Sequence, residues 1–137
     1  MPPFLKSLEL RWADLDPNFH LRHSVYYDFG ATARIEFLAQ NGITVAFMQQ
    51  HHFGPVIFRE ECVFKKEIRL SDTITIDLTL KQSNPDFSRW TMQHTIYKNT
   101  DTVSAILTID GAWMDTVKRK LTLPPTEVIA AFINMTT

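Results

Sequence analysis

One change of period constrains this chain more than any other feature. Across residues 24–40 Tyr26, Phe29, Ala33 and Phe37 recur at helical spacing, with Gly30 among them and Asp28, Arg34, Glu36 and Gln40 mostly on other faces. After Gly54-Pro55 that period gives way to segments at 56–70, 73–82, 87–98 and 102–117, dense in Ile, Thr, Val, Phe and Trp. Within them Ile74, Ile76, Leu78 and Leu80 alternate with Thr75, Asp77 and Thr79, the pattern of a strand with one face buried. The separators Ser71-Asp72, Ser83-Asn84-Pro85-Asp86 and Asn99-Thr100-Asp101 carry turn chemistry. Short turns make neighbouring strands antiparallel. The expected class is α+β, one long helix packed against a curled meander of about five strands.

The flanks fill in the rest. Leu8, Leu10 and Trp12 alternate with Glu9 and Arg11, which predicts a short strand over 8–12. Residues 13–23 are polar and read as a loop of a length that often carries function. Ser24 is placed to cap the helix with its hydroxyl, and Asn41-Gly42 to end it with a left-handed glycine. Gly30 costs about 1 kcal/mol of helix propensity relative to alanine, so its place predicts close contact with another backbone. A weaker helical stretch is expected around 45–50, and a short helix from Thr126 through Phe132 after Pro124-Pro125.

Composition then excludes whole classes of function. The 137 residues suit one domain, 1–137. Lys and Arg number 14 against 15 for Asp and Glu, so no excess of positive charge favours nucleic acid or an anionic membrane. The single cysteine, Cys62, forms no intramolecular disulfide and leaves no cysteine cluster for zinc. The longest apolar run, 128–133, is far short of the roughly 20 residues a spanning helix needs. Met1-Pro2-Pro3 has neither the basic start nor the apolar core of a signal peptide. A cytoplasmic protein without a membrane span is the expectation.

From Asp16 the chain resembles a known family. Residues 11–26 hold an aromatic, Trp12, the pair Asp14-Leu15-Asp16, then His20, Arg22-His23 and Tyr26 at the helix start. This resembles the signature of the hot-dog-fold acyl-CoA thioesterases, the 4-hydroxybenzoyl-CoA thioesterase group. The likeness continues through Ala33-Arg34-Ile35-Glu36-Phe37-Leu38 to Asn41-Gly42, a strand, loop and Ser71-Asp72 turn, Ser88, and Leu123-Pro124-Pro125. It covers nearly the whole chain. Three places depart from the pattern: Phe19 stands where a glycine is usual, Arg22-His23 where an asparagine pair often follows, although part of the family carries histidine at the position of His23, and Ala31 where a helix glutamate is often found.

Thioester hydrolysis needs a base or nucleophile near the carbonyl carbon, donors aimed at the developing oxyanion, and room for the acyl group. Asp16 can supply the first, as a carboxylate that polarises water or attacks directly. The resemblance implies that the thioester oxygen points at the start of the 24–40 helix, where first-turn amides and the positive dipole end lie. Catalytic roles are therefore assigned to Asp16 and His23, and substrate contacts to Ser24, Tyr26 and Glu61. Each has a plainer alternative. Asp in Asp-Pro-Asn is commonly a turn-former accepting backbone amides. Asp14 reads as a structural hydrogen-bonding group, His20 as structural and Arg22 as solvated. Alternation lets only one of Glu60 and Glu61 face inward, and the sequence does not say which. Cys62 reads as a small packing residue.

His51-His52 lacks a carboxylate or cysteine at ligand spacing, so no metal is expected, and no phosphate-cradling glycine loop implies an organic cofactor. Lys118-Arg119-Lys120 is a solvated basic run or a contact for coenzyme A phosphates. Phe47, Met48, Phe53, Phe58 and Phe64 suit either core or an acyl channel. The leading function is hydrolysis of a fatty or aromatic acyl-CoA. The alternative is a non-catalytic acyl-CoA or acyl-carrier-protein binding module, which Phe19 in the glycine's place favours; a dehydratase or hydratase lacks its usual motif context here. A homodimer or homotetramer is expected because exposed sheet edges are often covered by a second copy, and the resemblance places the site at the subunit interface.

Overall fold

The computed structural model describes residues 4–136, so the Met1-Pro2-Pro3 start lies outside them. The chain runs β1 (Phe4–Leu8), a 3₁₀ turn (Trp12–Asp14), α1 (Val25–Gln40), α2 (Val45–Gln50), β2 (Phe53–Phe64), β3 (Ile74–Ser83), β4 (Arg89–Lys98), β5 (Thr102–Asp115), β6 (Lys120–Leu121) and α3 (Thr126–Thr136). The strands form one antiparallel sheet in the order β1-β3-β4-β5-β2, with β6 paired to β5. The sheet packs against α1, as expected for this α+β class.

Two strand expectations need correction. The first strand is Phe4–Leu8 and not 8–12, because Phe4, Lys6 and Leu8 find partners at Leu78, Ile76 and Ile74 of β3. Residues 12–14 instead coil into the 3₁₀ turn. Nor is the sheet a simple meander from β2 onward: β2 pairs with β5 at the far edge, not with its successor β3. The chain crosses over through residues 65–73, where fully buried Ile68 anchors the path and its carbonyl accepts from Leu21 N–H at 2.7 Å. Ser71-Asp72 closes only the last turn of that crossing, with Asp72 Oδ2 accepting from Arg69 N–H at 2.8 Å.

Within β2 the register against β5 slips between Ile57 and Arg59. The extra residue, Phe58, reverses the phase of the strand. Ile57 thus lies toward α1 before the slip, and Glu60 and Phe64 after it. Phe58 is turned the other way, with the Arg89 guanidinium 5.2 Å over its ring.

In α1 the buried residues are Val25, Tyr26, Gly30, Ala33, Arg34, Phe37 and Leu38. Arg34 belongs to this face, contrary to expectation. Gly30 does meet close neighbours, but they are side chains and not backbone: an added Cβ would lie 3.1 Å from Arg34 Nη1, 3.2 Å from His94 Cδ2 and 3.3 Å from Leu107 Cδ2. Ser24 makes no side-chain cap; its hydroxyl accepts from Arg22 Nε instead. Gly42 does take the left-handed conformation, φ 83°. Thr44 caps α2 by accepting from Phe47 N–H at 3.1 Å. At the other end α3 buries Val128, Ala131 and Phe132, and Phe132 joins Phe87, Trp90 and Trp113 in an aromatic cluster. Burying each such ring contributes about 2–3 kcal/mol.

Candidate active site

The loop before α1 is held by a lattice of polar contacts. Asp14 is 2% exposed, and its carboxylate accepts from Arg11 Nη2 at 2.7 Å, Arg11 Nε at 3.2 Å and the Arg11 backbone N–H at 3.1 Å. The Arg11 side chain holds the Asp14 carboxyl below the usual carboxylate range. Asp14 is thus the structural group the sequence suggested. Arg22 is not free in solvent: Nη1 donates to Ala13 C=O at 2.8 Å, Nε to Ser24 Oγ at 3.0 Å, and its N–H to Asp14 C=O at 2.7 Å.

Asp16 follows in a tight turn. Its Oδ1 accepts from Asn18 N–H at 2.8 Å and His20 N–H at 3.2 Å, while its own N–H donates to His20 C=O at 2.8 Å. Phe19 closes the turn at φ 63°, so the loop keeps a left-handed residue where the family pattern has glycine. Among the described residues nothing donates to Asp16 Oδ2. One oxygen fixes the loop and the other accepts no hydrogen bond from these residues.

Asp16, His20, Leu21, His23 and Tyr26 from this side, and Phe64, Lys65, Lys66 and Glu67 from the end of β2, line a cleft of about 300 Å³ at the amino end of α1. The Tyr26 ring meets Phe64 edge-on at 4.9 Å, and burial pushes its phenol up to about 12, so it is neutral at physiological pH. His23 is exposed at the cleft, and His20 Nε2 lies 3.9 Å from Glu67 Oε1. Of the predicted set, the cleft gathers Asp16, His23 and Tyr26. Ser24 and Glu61 are not among its lining residues. Glu61 accepts from Arg59 Nη2 at 2.6 Å, whereas Glu60 lies on the α1 side, 3.8 Å from Arg34 Nη2. Burial raises the Cys62 thiol to about 11, consistent with a packing role.

The proposed aromatic channel does not form. Met48 and Phe53 are core, Phe47 packs on His51 and Phe53, and Phe58 faces Arg89; only Phe64 reaches the cleft. A separate cavity of about 180 Å³ lies between α1 and the sheet, lined mainly by apolar side chains and by Arg34. Sequence reasoning missed this pairing of Arg34 with His94, sixty residues apart. Gly30 was its one local signal. Among the described residues no group of three His, Cys, Asp or Glu is arranged to hold a metal. Nor is any described helix long and apolar enough to cross a membrane.

The model of the thioesterase-like superfamily matches residues 10–132, and the chain belongs to that superfamily. No curated protein matches it by sequence. Among solved structures, a hypothetical protein of Aquifex aeolicus is similar at 22% identity, covering 95% of this chain and 99% of that one, with a TM-score of 0.86. A 1,4-dihydroxy-2-naphthoyl-CoA thioesterase of Synechocystis is similar at 14% identity over 98% of both chains, with a TM-score of 0.86. A thioesterase of Thermus thermophilus, complexed with coenzyme A and zinc, is 20% identical, covering 96% of this chain and 92% of that one, with a TM-score of 0.79. The shared architecture is the hot-dog fold.

Proposed function

We propose that the chain hydrolyses the thioester of an acyl-CoA to the free acid and coenzyme A. The observation that carries this reading is Asp16 itself: one carboxylate oxygen is fixed by two loop amides, and the other is unbonded in a cleft at the start of a buried helix. As a base, Asp16 takes a proton from water; the hydroxide adds to the carbonyl carbon, the C–S bond breaks, and the proton passes to the leaving thiolate. As a nucleophile, its oxygen adds to the carbonyl carbon and the C–S bond breaks, leaving an anhydride and the coenzyme A thiolate; water opens the anhydride to the free acid and the Asp16 carboxylic acid, whose proton passes to the thiolate. First-turn amides of α1 receive the developing oxyanion. His23 orients the water or donates to the carbonyl, and Tyr26 walls the acyl group. Lys65 and Lys66 at the rim suit the phosphates of coenzyme A. The reaction as written needs neither metal nor organic cofactor, and dialysis against a chelator should leave it intact.

The assembly is part of the proposal. β2 is a twelve-residue edge strand on which Ile57, Phe58, Val63 and Phe64 are about half exposed. Such an edge favours antiparallel pairing with a second copy, in a homodimer or a dimer of dimers. Pairing along the full strand would bring Phe64 of one copy beside Phe53 of the other, so each Asp16 cleft would border Pro55 and Ile57 of the second copy. Ser24 and Glu61 lie outside the cleft of one copy, so any substrate contact from them depends on this assembly.

A non-catalytic binding module is the second reading, and the turn hydrogen bonds of Asp16 Oδ1 favour it. Thiol release from a panel of fatty, aromatic and hydroxyaryl acyl-CoAs separates the two. Release from any member supports the hydrolase, while tight binding without release from all of them supports the module.

A further inference from the structure

The loop that carries Asp16 also displays an aromatic pair that hydrolysis does not use. Trp12 is 70% exposed and Phe19 61%, with ring centroids 6.2 Å apart and planes tilted by 39°. Phe19 holds its ring there at φ 63°, a backbone region that strains any bulky residue. Glycine takes the same turn without strain. Packing offsets little of it, because among the described residues the only ring beside Phe19 is the equally wet Trp12. The cations around the pair are incompletely neutralised. Arg11 pairs with Asp14, and Arg69 with Glu67. Arg22 donates to Ala13 C=O, next to Trp12, and among the described residues no carboxylate pairs with it or with Lys65 or Lys66. Both lysines share the wall of the cleft with His20, the residue after Phe19. Arg22, Lys65 and Lys66 are left against Asp16 alone, so this surface is net positive.

Area and charge decide what covers the pair. Aromatic side chains offer about 150–250 Å² each, so these two leave on the order of 250 Å² in water. A stable contact with a second copy or another protein needs roughly 1,000 Å². A lipid surface asks for less apolar area, because aromatic rings settle at the headgroup level and cations add to their hold. Each Lys or Arg near an anionic leaflet contributes about fivefold in affinity. The net charge of −1 gives the whole chain no long-range pull. Screening over about 8 Å leaves the local cations to decide. We propose that the Asp16 loop docks on an anionic lipid surface, with Trp12 and Phe19 seated among the headgroups and Arg22, Lys65 and Lys66 meeting their phosphates. The Asp16 cleft then opens on the layer where an amphiphilic acyl chain collects.

The test is co-sedimentation of the full chain with vesicles, without any acyl-CoA present. Vesicles of phosphatidylcholine mixed with phosphatidylglycerol should bind it at least about tenfold tighter than phosphatidylcholine alone. High salt should remove that preference, since the screening length falls to about 3 Å at 1 M. Brominated lipid should quench the Trp12 share of the emission and spare buried Trp90 and Trp113. Phe19→Gly should weaken binding about tenfold while leaving the urea midpoint nearly unchanged, because the turn keeps its backbone. Trp12→Ser should weaken binding similarly and abolish the quenching. If Trp12→Ser fails to fold, Phe19→Gly carries the comparison. Equal binding to both vesicles, binding to neither, or binding that Phe19→Gly leaves unchanged would overturn the proposal. So would a drop in sedimentation coefficient of either folded variant without vesicles, which would show that a second copy covers the pair. A chain that binds the anionic vesicles yet hydrolyses no acyl-CoA refutes only the hydrolase reading. One that hydrolyses acyl-CoAs yet ignores the vesicles refutes only this inference.

Discussion

Replacing His94 by glutamine should flatten the pH dependence of stability between about pH 4 and pH 6.5. In the folded chain burial pushes the imidazole down to about 4, and the neighbouring Arg34 cation pushes the same way, against the hydrogen bond to Asp77 C=O. In the unfolded chain an ordinary histidine titrates near about 6.5. Above that value neither state is protonated, and the folded state has its full stability. As the pH falls, the unfolded chain takes up a proton that folded His94 refuses, at about 1.4 kcal/mol per pH unit. The loss stops once folded His94 itself protonates near 4, by which point it has reached about 3 kcal/mol. That is a large share of the roughly 5–15 kcal/mol by which domains are stable. Glutamine keeps a donor for Asp77 C=O and an acceptor for Arg34 but has no proton to gain. Urea unfolding at fixed protein concentration, followed by tryptophan fluorescence at several pH values, gives both curves. Carboxylates common to both proteins cancel in the difference. Wild type should lose about 3 kcal/mol more than His94→Gln over the window. Parallel curves, or wild type gaining on acidification, would refute the neutral buried imidazole.

Gly111→Ala should destabilise by about 1–3 kcal/mol in the same assay, because the added methyl would run into the Trp90 ring and lie 2.6 Å from Val56 C=O; an unchanged midpoint would contradict this close approach of β2 and Trp90 to Gly111. Val63→Asp puts a charge on the half-exposed edge of β2 and should leave single chains in sedimentation, with thiol release lowered at least about tenfold; a fully active single chain would sink the interface proposal. Asp14→Asn should lower the unfolding midpoint near neutral pH. Because Arg11 depresses the Asp14 pKa, that contribution is complete above the ordinary value of about 3.9 and is lost as pH falls through the depressed one, so the two proteins should converge in acid.

The elements with local causes were legible in the sequence. The helical period of Tyr26, Ala33 and Phe37 and the αL Gly42 are read from neighbours a few residues apart, and α1 and α2 follow to within a residue, although the cap expected at Ser24 does not form. Alternation located β3, and β-rich composition between turn residues located β4 and β5. Pairing was not legible, because nothing in 56–70 specifies β5 as its partner, and the Phe58 bulge exists only against β5. Arg34 shows the same limit. Its charge argues for solvent, and the groups that meet it in the fold, His94 from β4 and the Glu60 carboxylate from β2, are both far from it in sequence. In the cleft, the motif located Asp16, His23 and Tyr26. The contributions of Lys65 and Lys66 stayed hidden until the 65–73 crossing folded back against the loop.

The central claim is that Asp16 performs the chemistry, and kcat of Asp16→Asn on the best acyl-CoA substrate tests it most directly. Asparagine retains a carbonyl oxygen to accept from the Asn18 and His20 amides, so the loop, the fold and the assembly should persist. It lacks the charge needed to take a proton or attack a carbonyl. Turnover should fall by about 10²–10⁴, with KM within a few-fold of wild type. A folded Asp16→Asn protein whose turnover stays within a few-fold of wild type would contradict the account and leave Asp16 a turn residue alone.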